Sequence, residues 1–149
     1  MGLFDAIDIA GSGLTAERLR MDVTAENLAN AQTTRAADGG PYQRKEVVLQ
    51  QSGGSSFSTM LTGAIGGVRA SAVPNGVEVA GIVEDQTAQR LVYDPGHPDA
   101  DPRGYVAMPN VNPVTEMVDL ISSSRSYEAN VTAMQSAKQM FTKTLELLR

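Results

Sequence analysis

Residues 112–149 read NPVTEMVDLISSSRSYEANVTAMQSAKQMFTKTLELLR, with no Gly and no further Pro after Pro113. Asn112 suits the N-cap, where its side-chain oxygen accepts from a free backbone N–H of the first turn. Pro113 fits the first helical position, which needs no amide donor. With nothing to break it, the stretch predicts one helix about 50–55 Å long. That is longer than a compact domain of this size requires.

The apolar spacing says how such a helix is covered. Steps of three and four residues pick out Met117, Leu120, Ser124, Tyr127, Val131, Met134, Lys138, Phe141, Leu145 and Leu148. Only Ser124 and Lys138 break this heptad seam, the pattern of a helix lying along another helix. Val118, Ile121, Ala133, Ala137, Met140 and Leu147 make a second stripe off the seam. A helix with two apolar faces needs more than one covering surface. The competing expectation is an ordinary terminal helix packed on its own domain.

The other end of the chain supplies a counterpart. Leu3 to Ala31 reads as a second helix, whose seam is Phe4, Ile7, Gly11, Leu14, Arg18, Met21, Ala25 and Leu28. Gly11–Ser12–Gly13 is a candidate kink, and each glycine costs about 1 kcal/mol relative to Ala in a helix interior. Close approach of a neighbouring helix is the expected return. Gly11, Gly13 and Ala16 also have the spacing of a dinucleotide-binding turn, but that motif needs a preceding strand and a βαβ unit, which this chain lacks.

Between the helices the texture changes. Ala37–Asp38–Gly39–Gly40–Pro41 is a turn-forming run. Tyr42 to Gln50, Val77 to Glu84 and Ala88 to Tyr93 read as strands, within a small module of three to five. Residues 51–71 are rich in Ser and Gly and predict a flexible loop or insertion. The expected fold is therefore α+β. An N-terminal axial helix (1–34) and a C-terminal one (112–149) pair as an antiparallel coiled-coil-like unit, with a β-rich module (35–111) between them. Burying both seams against each other is the simplest arrangement, and the remaining apolar faces would be covered by other subunits. The termini would then order fully only on assembly.

Composition narrows the function classes. The net charge is −5, which argues against nucleic acid or anionic lipid as a partner. There is no Cys, so disulfides and thiolate metal sites are excluded. Asp5 and Asp8 stand where a cleavable signal would carry positive charge, and no run is long enough to insert in a membrane. The loop Tyr93 to Tyr105 holds the single His, His97, beside Asp94, Asp99 and Asp101. A calcium loop would want oxygen ligands where Arg103 and Asn110 stand, and one His is no zinc set. A rigid proline turn with Asx-type hydrogen bonds is the plainer reading. No nucleophile–base pair or phosphate-cradling loop is present, so we expect neither an enzyme nor a cofactor, metal or small-molecule substrate.

Leu28–Ala29–Asn30–Ala31–Gln32–Thr33–Thr34 after an amphipathic helix, and Tyr127–Glu128–Ala129–Asn130–Val131 within a long terminal one, resemble the paired signatures of flagellar rod and hook axial proteins. The central Asp94–Pro95–Gly96–His97–Pro98–Asp99–Ala100–Asp101, followed by Gly104–Tyr105–Val106, is similar to proximal-rod members of that family. The resemblance implies a structural subunit of the periplasm-spanning drive shaft of the flagellar basal body. It implies export through the flagellar type III apparatus and helical polymerisation around a channel. The partners implied are the chain itself, other rod proteins and the adaptor joining rod to membrane ring. Asn27, Asn30, Thr33 and Thr34 would lock the N-terminal helix end, and Tyr127, Asn130 and Val131 would lie in the paired C-terminal helix. With them, Phe4, Ile7, Leu14, Met21, Leu28, Met117, Leu120, Met134, Phe141, Leu145 and Leu148 make the expected subunit interface. Asp94 to Pro98 is the expected contact loop. The alternative is a non-polymerising helical adaptor or chaperone of the flagellar or type III export apparatus.

Overall fold

A computed structural model describes residues 3–36, 39–52 and 76–147. Helix α1 (Leu3–Ala29) runs uninterrupted through Gly11–Ser12–Gly13, and helix α2 (Pro113–Leu147) is the long terminal helix. Asn112 caps α2 as its chemistry predicts. Its Oδ1 accepts from the Val114 amide at 3.1 Å, and its carbonyl accepts from the Glu116 amide at 3.1 Å.

Four strands lie between the helices among the described residues. Strand β1 (Lys45–Gln51) pairs antiparallel with β2 (Val77–Glu84), with Val47 opposite Ile82 and a register shift between Val48 and Leu49. Strand β3 (Arg90–Tyr93) pairs antiparallel with β4 (Tyr105–Met108), with Val92 opposite Val106. These are two separate two-stranded sheets. Strand β4 is not among the sequence expectations, because only four residues after a proline-rich turn carry its pattern. The expected strand from Tyr42 begins instead at Lys45, and Tyr42 to Arg44 form the crossing from helix to strand. Of the Ser/Gly-rich stretch, only Gln51 and Ser52 fall within the described residues, and the Ser52 amide donates to the Gly76 carbonyl at 3.0 Å.

The helices lie against one another and run in opposite senses. Asn27 meets Glu116 at one end, while further along a Cβ on Gly13 would sit 2.9 Å from Asn130 Nδ2 and one on Gly11 3.8 Å from the Met134 methyl. Gly13 therefore does what its cost implied: it admits a neighbouring helix closely. Ser12 between the glycines ties α1 to the strands. Its hydroxyl donates to the Ile9 carbonyl at 2.8 Å and accepts from the Val77 amide at 3.0 Å.

The buried face of α2 differs from the expected seam. Glu116, Ser123 and Ala137 are buried, with Leu120, Tyr127, Asn130 and Met134 half-buried among them. Leu120, Tyr127 and Met134 belong to both seams, but the alternate positions shift by one, from 117/124/131/138 to 116/123/130/137. On α1 the buried residues are Ala10, Ala16, Val23, Thr24 and Asn27, again rotated from the apolar stripe read in the sequence. Close helix approach favours small and hydrogen-bonded residues in the seam, so a pattern drawn through bulky apolar positions misses it. The remaining core is small. Tyr42, Val47, Val106, Pro109 and Val111 are buried, and they gather where α1 ends and α2 begins.

Candidate functional site

That end of the helix pair is built around a polar hub. Asn27, in the last turns of α1, is 1% exposed, and so is Glu116 in the first turn of α2. Asn27 Nδ2 donates to Glu116 Oε2 at 3.0 Å and to the Lys45 carbonyl at 2.8 Å. Its Oδ1 accepts from the Tyr42 hydroxyl at 2.8 Å and from the Lys45 amide at 2.9 Å. One side chain thus satisfies four groups on three segments, using both amide protons and both carbonyl lone pairs. Arg44 Nε donates to the other oxygen of Glu116 at 2.6 Å, so the buried carboxylate is both paired and hydrogen-bonded.

A second layer holds the hub's frame. The Arg44 amide donates to Asn110 Oδ1 at 3.0 Å, and Asn110 Nδ2 donates to the Asp85 carbonyl at 3.2 Å. Lys45 Nζ reaches Glu26 Oε1 at 2.7 Å and lies 5.6 Å from the centre of the Tyr42 ring. Burial, and then the charge of Glu26, pushes the Tyr42 phenol above its ordinary value. The hydrogen bond to Glu26 raises Lys45, and the one to Glu116 raises Arg44.

The remaining signature residues make a latch to the proline-rich loop. Thr33 Oγ1 donates to Asn30 Oδ1 at 3.1 Å, and the Tyr42 amide donates to the Thr33 carbonyl at 3.1 Å. Thr34 Oγ1 donates to Asp99 Oδ2 at 2.9 Å, and Arg35 pairs with Asp99 Oδ1 at 2.6 Å. Asp99 in turn donates its amide to His97 Nδ1 at 3.1 Å. Asp94 Oδ1 accepts from the Gly96 amide at 3.1 Å, an Asx turn, and Gly104 closes the loop at φ +80°. So Asp99 of this segment is held by Thr34 of the N-terminal signature and by the adjoining Arg35. Among the described residues, no group of three or more His, Cys, Asp or Glu is arranged to hold a metal ion.

Apolar side chains face outward on α2, on the β3–β4 hairpin and, at Val48, Ile82 and Val83, on the β1–β2 pair. On α2, Val114, Met117, Val118 and Ile121 are 51–69% exposed and recur at helical spacing on the face away from Glu116 and Ser123. Met140, Phe141 and Leu145 are exposed towards the other end. On the β3–β4 hairpin, Leu91 and Tyr93 lie open, and Tyr93 meets Tyr105 edge-on with ring centroids 5.3 Å apart. Among the described residues, no helix is long and apolar enough to cross a membrane.

The expected interface residues therefore separate into groups. Asn27 lies inside the subunit, and Asn30, Thr33 and Thr34 serve the turn and latch beside it. Asn130 and Met134 lie against α1, Leu120, Tyr127, Ile7, Leu14, Met21, Leu28 and Val131 are half-buried, and Met117, Phe141 and Leu145 are exposed. The Phe4 side chain and Leu148 fall outside the described residues. Tyr42, Arg44 and Glu116 are hub members that sequence reasoning missed. An acid in the first turn of a helix reads as a complement to the helix dipole, and only the long-range contact with Asn27 marks Glu116 as more.

Comparison with known proteins places these features in a family. Residues 7–36 match the family described as "Flagella basal body rod protein", and residues 103–147 match "Flagellar basal body rod FlgEFG protein C-terminal". The chain is 51% identical to the flagellar basal-body rod protein FlgC of Bacillus subtilis, over 99% of both chains. Its identity to the FlgC of Borreliella burgdorferi is 45%, over 100% of this chain and 99% of the relative. To the FlgC of Salmonella typhimurium it is 44%, over 99% and 98%.

Proposed function

Because this chain belongs to the FlgC family of flagellar basal-body rod proteins, we propose a specific account of how it takes its place in the rod. It is a structural subunit of the basal-body rod, not an enzyme, and it assembles with other rod components. The comparisons do not favour a non-polymerising adaptor or chaperone, since the relatives are named as rod proteins.

In this account, residues 1–34 and 112–149 are axial helices paired as an antiparallel coiled-coil-like unit, and residues 35–111 are the β-rich module they carry. The outward stripes of α2 are covered by other copies and by neighbouring rod proteins. Subunits reach the periplasm through the flagellar type III apparatus, and the rod meets the membrane ring through an adaptor. The termini gain order as their outer faces are buried. The observation that carries the reading is the open stripe Val114, Met117, Val118 and Ile121, on a helix whose opposite face is already occupied by α1. Exposed apolar residues grouped in this way mark an interaction surface. Removing residues 141–149 tests it. The truncated chain is expected to stay folded at the hub and to be absent from isolated basal bodies, with motility lost. Normal swimming would refute the account.

A further inference from the structure

Only Pro109–Asn110–Val111–Asn112 joins β4 to α2, and the two sides of this joint carry separate open apolar faces. Leu91, Tyr93 and Tyr105 are exposed on the hairpin, and Val114, Met117, Val118 and Ile121 on the helix. Within the joint, Pro109 and Val111 are buried and Asn112 is the helix cap. Asn110 has a different task. The β1–β2 ladder runs as far as Lys45 opposite Glu84, and Arg44 and Asp85 come next. The Asp85 amide donates to the Arg44 carbonyl at 2.7 Å, one of the two bonds that an antiparallel hydrogen-bonded pair exchanges. The reciprocal bond would run from the Arg44 amide to the Asp85 carbonyl. Both groups turn to Asn110 instead. The Arg44 amide donates to Asn110 Oδ1 at 3.0 Å, and Asn110 Nδ2 donates to the Asp85 carbonyl at 3.2 Å. A carboxamide, with its acceptor and donor side by side, thus stands in for the missing bond. Beyond it the chain turns towards β3, with Asp85 Oδ1 accepting from the Thr87 amide at 2.9 Å.

We propose that Asn110 is a positioning residue that ends the β1–β2 ladder one bond early and thereby fixes the joint between the β3–β4 hairpin and α2. Arg44, Asp85 and Asn110 are all half-buried, so a backbone group left without a partner there is unfavourable. Without the carboxamide, the simplest remedy is for the Arg44 amide and the Asp85 carbonyl to bond each other. That closes the rung, draws Asp85 into the sheet and releases the joint from it. The hairpin's other ties do not substitute. Asp99 holds the loop beyond the strands to Thr34 and Arg35, and Val106 is buried on β4, but neither engages Asp85 or the Arg44 backbone. These ties keep the hairpin attached while its base shifts. A neighbour that covers the hairpin and α2 together needs the two at one fixed angle. Only this last consequence rests on the rod reading.

Nuclear magnetic resonance of the labelled, purified full-length chain tests it, because couplings transmitted through a hydrogen bond identify the acceptor of the Arg44 amide. In the parent the coupled carbon is expected to be the side-chain carbonyl of Asn110. In Asn110→Ala the coupling should move to the backbone carbonyl of Asp85, with the Arg44 amide still protected from exchange. Asn110→Asp keeps the acceptor and loses the donor, so its coupling should stay on the side chain at position 110. Should Asn110→Ala not fold, Asn110→Ser, whose hydroxyl is too short to bridge both groups, should show the same switch. In cells, the closed-rung variant is expected to enter basal bodies severalfold less than the parent. An Arg44 amide that exchanges freely in Asn110→Ala or Asn110→Ser overturns the proposal, since Asn110 would then only satisfy its neighbours. A parent amide already coupled to Asp85, an Asn110→Asp chain that loses the side-chain coupling, or undiminished incorporation of a closed-rung variant overturns it too. A parent chain that fails to enter basal bodies would count against the rod reading and leave the coupling result to decide the role of Asn110.

Discussion

At the scale of single residues, Asn27 shows how much one amide can carry. Asn27→Ala would leave the Tyr42 hydroxyl, both Lys45 backbone groups and one Glu116 oxygen without this partner. The expected loss is about 2–4 kcal/mol, read as a lower urea midpoint, and a loss below about 1 kcal/mol would contradict the hub geometry. The hub also sets a pH dependence. Tyr42 and Lys45 hold their protons more tightly in the folded chain than free side chains, which release them near pH 10–10.4. A raised folded value contributes stability that is complete below the unfolded value and is lost as pH climbs through the folded one. The melting temperature should therefore be flat towards neutral pH and fall above about pH 10. Tyr42→Phe should start lower, having lost a hydrogen bond, and decline less steeply in that alkaline range.

Among elements, legibility in the sequence followed the range of the forces involved. Helix α2 and its Asn112 cap were readable because capping and the absence of breakers act within one turn. The β1–β2 pair was partly readable, since Val77 to Glu84 carries its own β-branched pattern, whereas β4 was too short to announce itself. The seam was misplaced by one position in alternate rows because the reading followed bulk, and the helices meet through Gly13, Ser123 and Ala137 instead. Tertiary contact, not local pattern, put Glu116 inside. Gly76 gives this scale its own test. It sits at φ +84°, just before β2, and a Cβ there would overlap the Ser12 hydroxyl that receives the Val77 amide. Gly76→Ala is expected to cost about 1–3 kcal/mol and to loosen β2 from α1, seen as faster amide exchange at Val77. Unchanged exchange would mean that the Ser12 contact does not anchor the strand.

For the whole molecule, the polar hub sits at one end of the helix pair, and open apolar side chains lie along α2 as well as on the strands. Met117→Asp with Ile121→Asp charges the outward stripe without touching Asn27, Arg44 or Glu116. The purified variant should keep its denaturation midpoint within about 0.5 kcal/mol of the parent while failing to enter basal bodies. Incorporation at the parental level would remove that stripe from the assembly surface. The opposite running of α1 and α2 has a practical consequence too. Since Gly11 lies beside Met134, the start of the first helix and the finish of the last emerge at the same pole, remote from Tyr42 and Glu116. A fluorescent protein fused to either terminus would therefore crowd the same neighbourhood, and swapping the fusion from one end to the other should not relieve the obstruction.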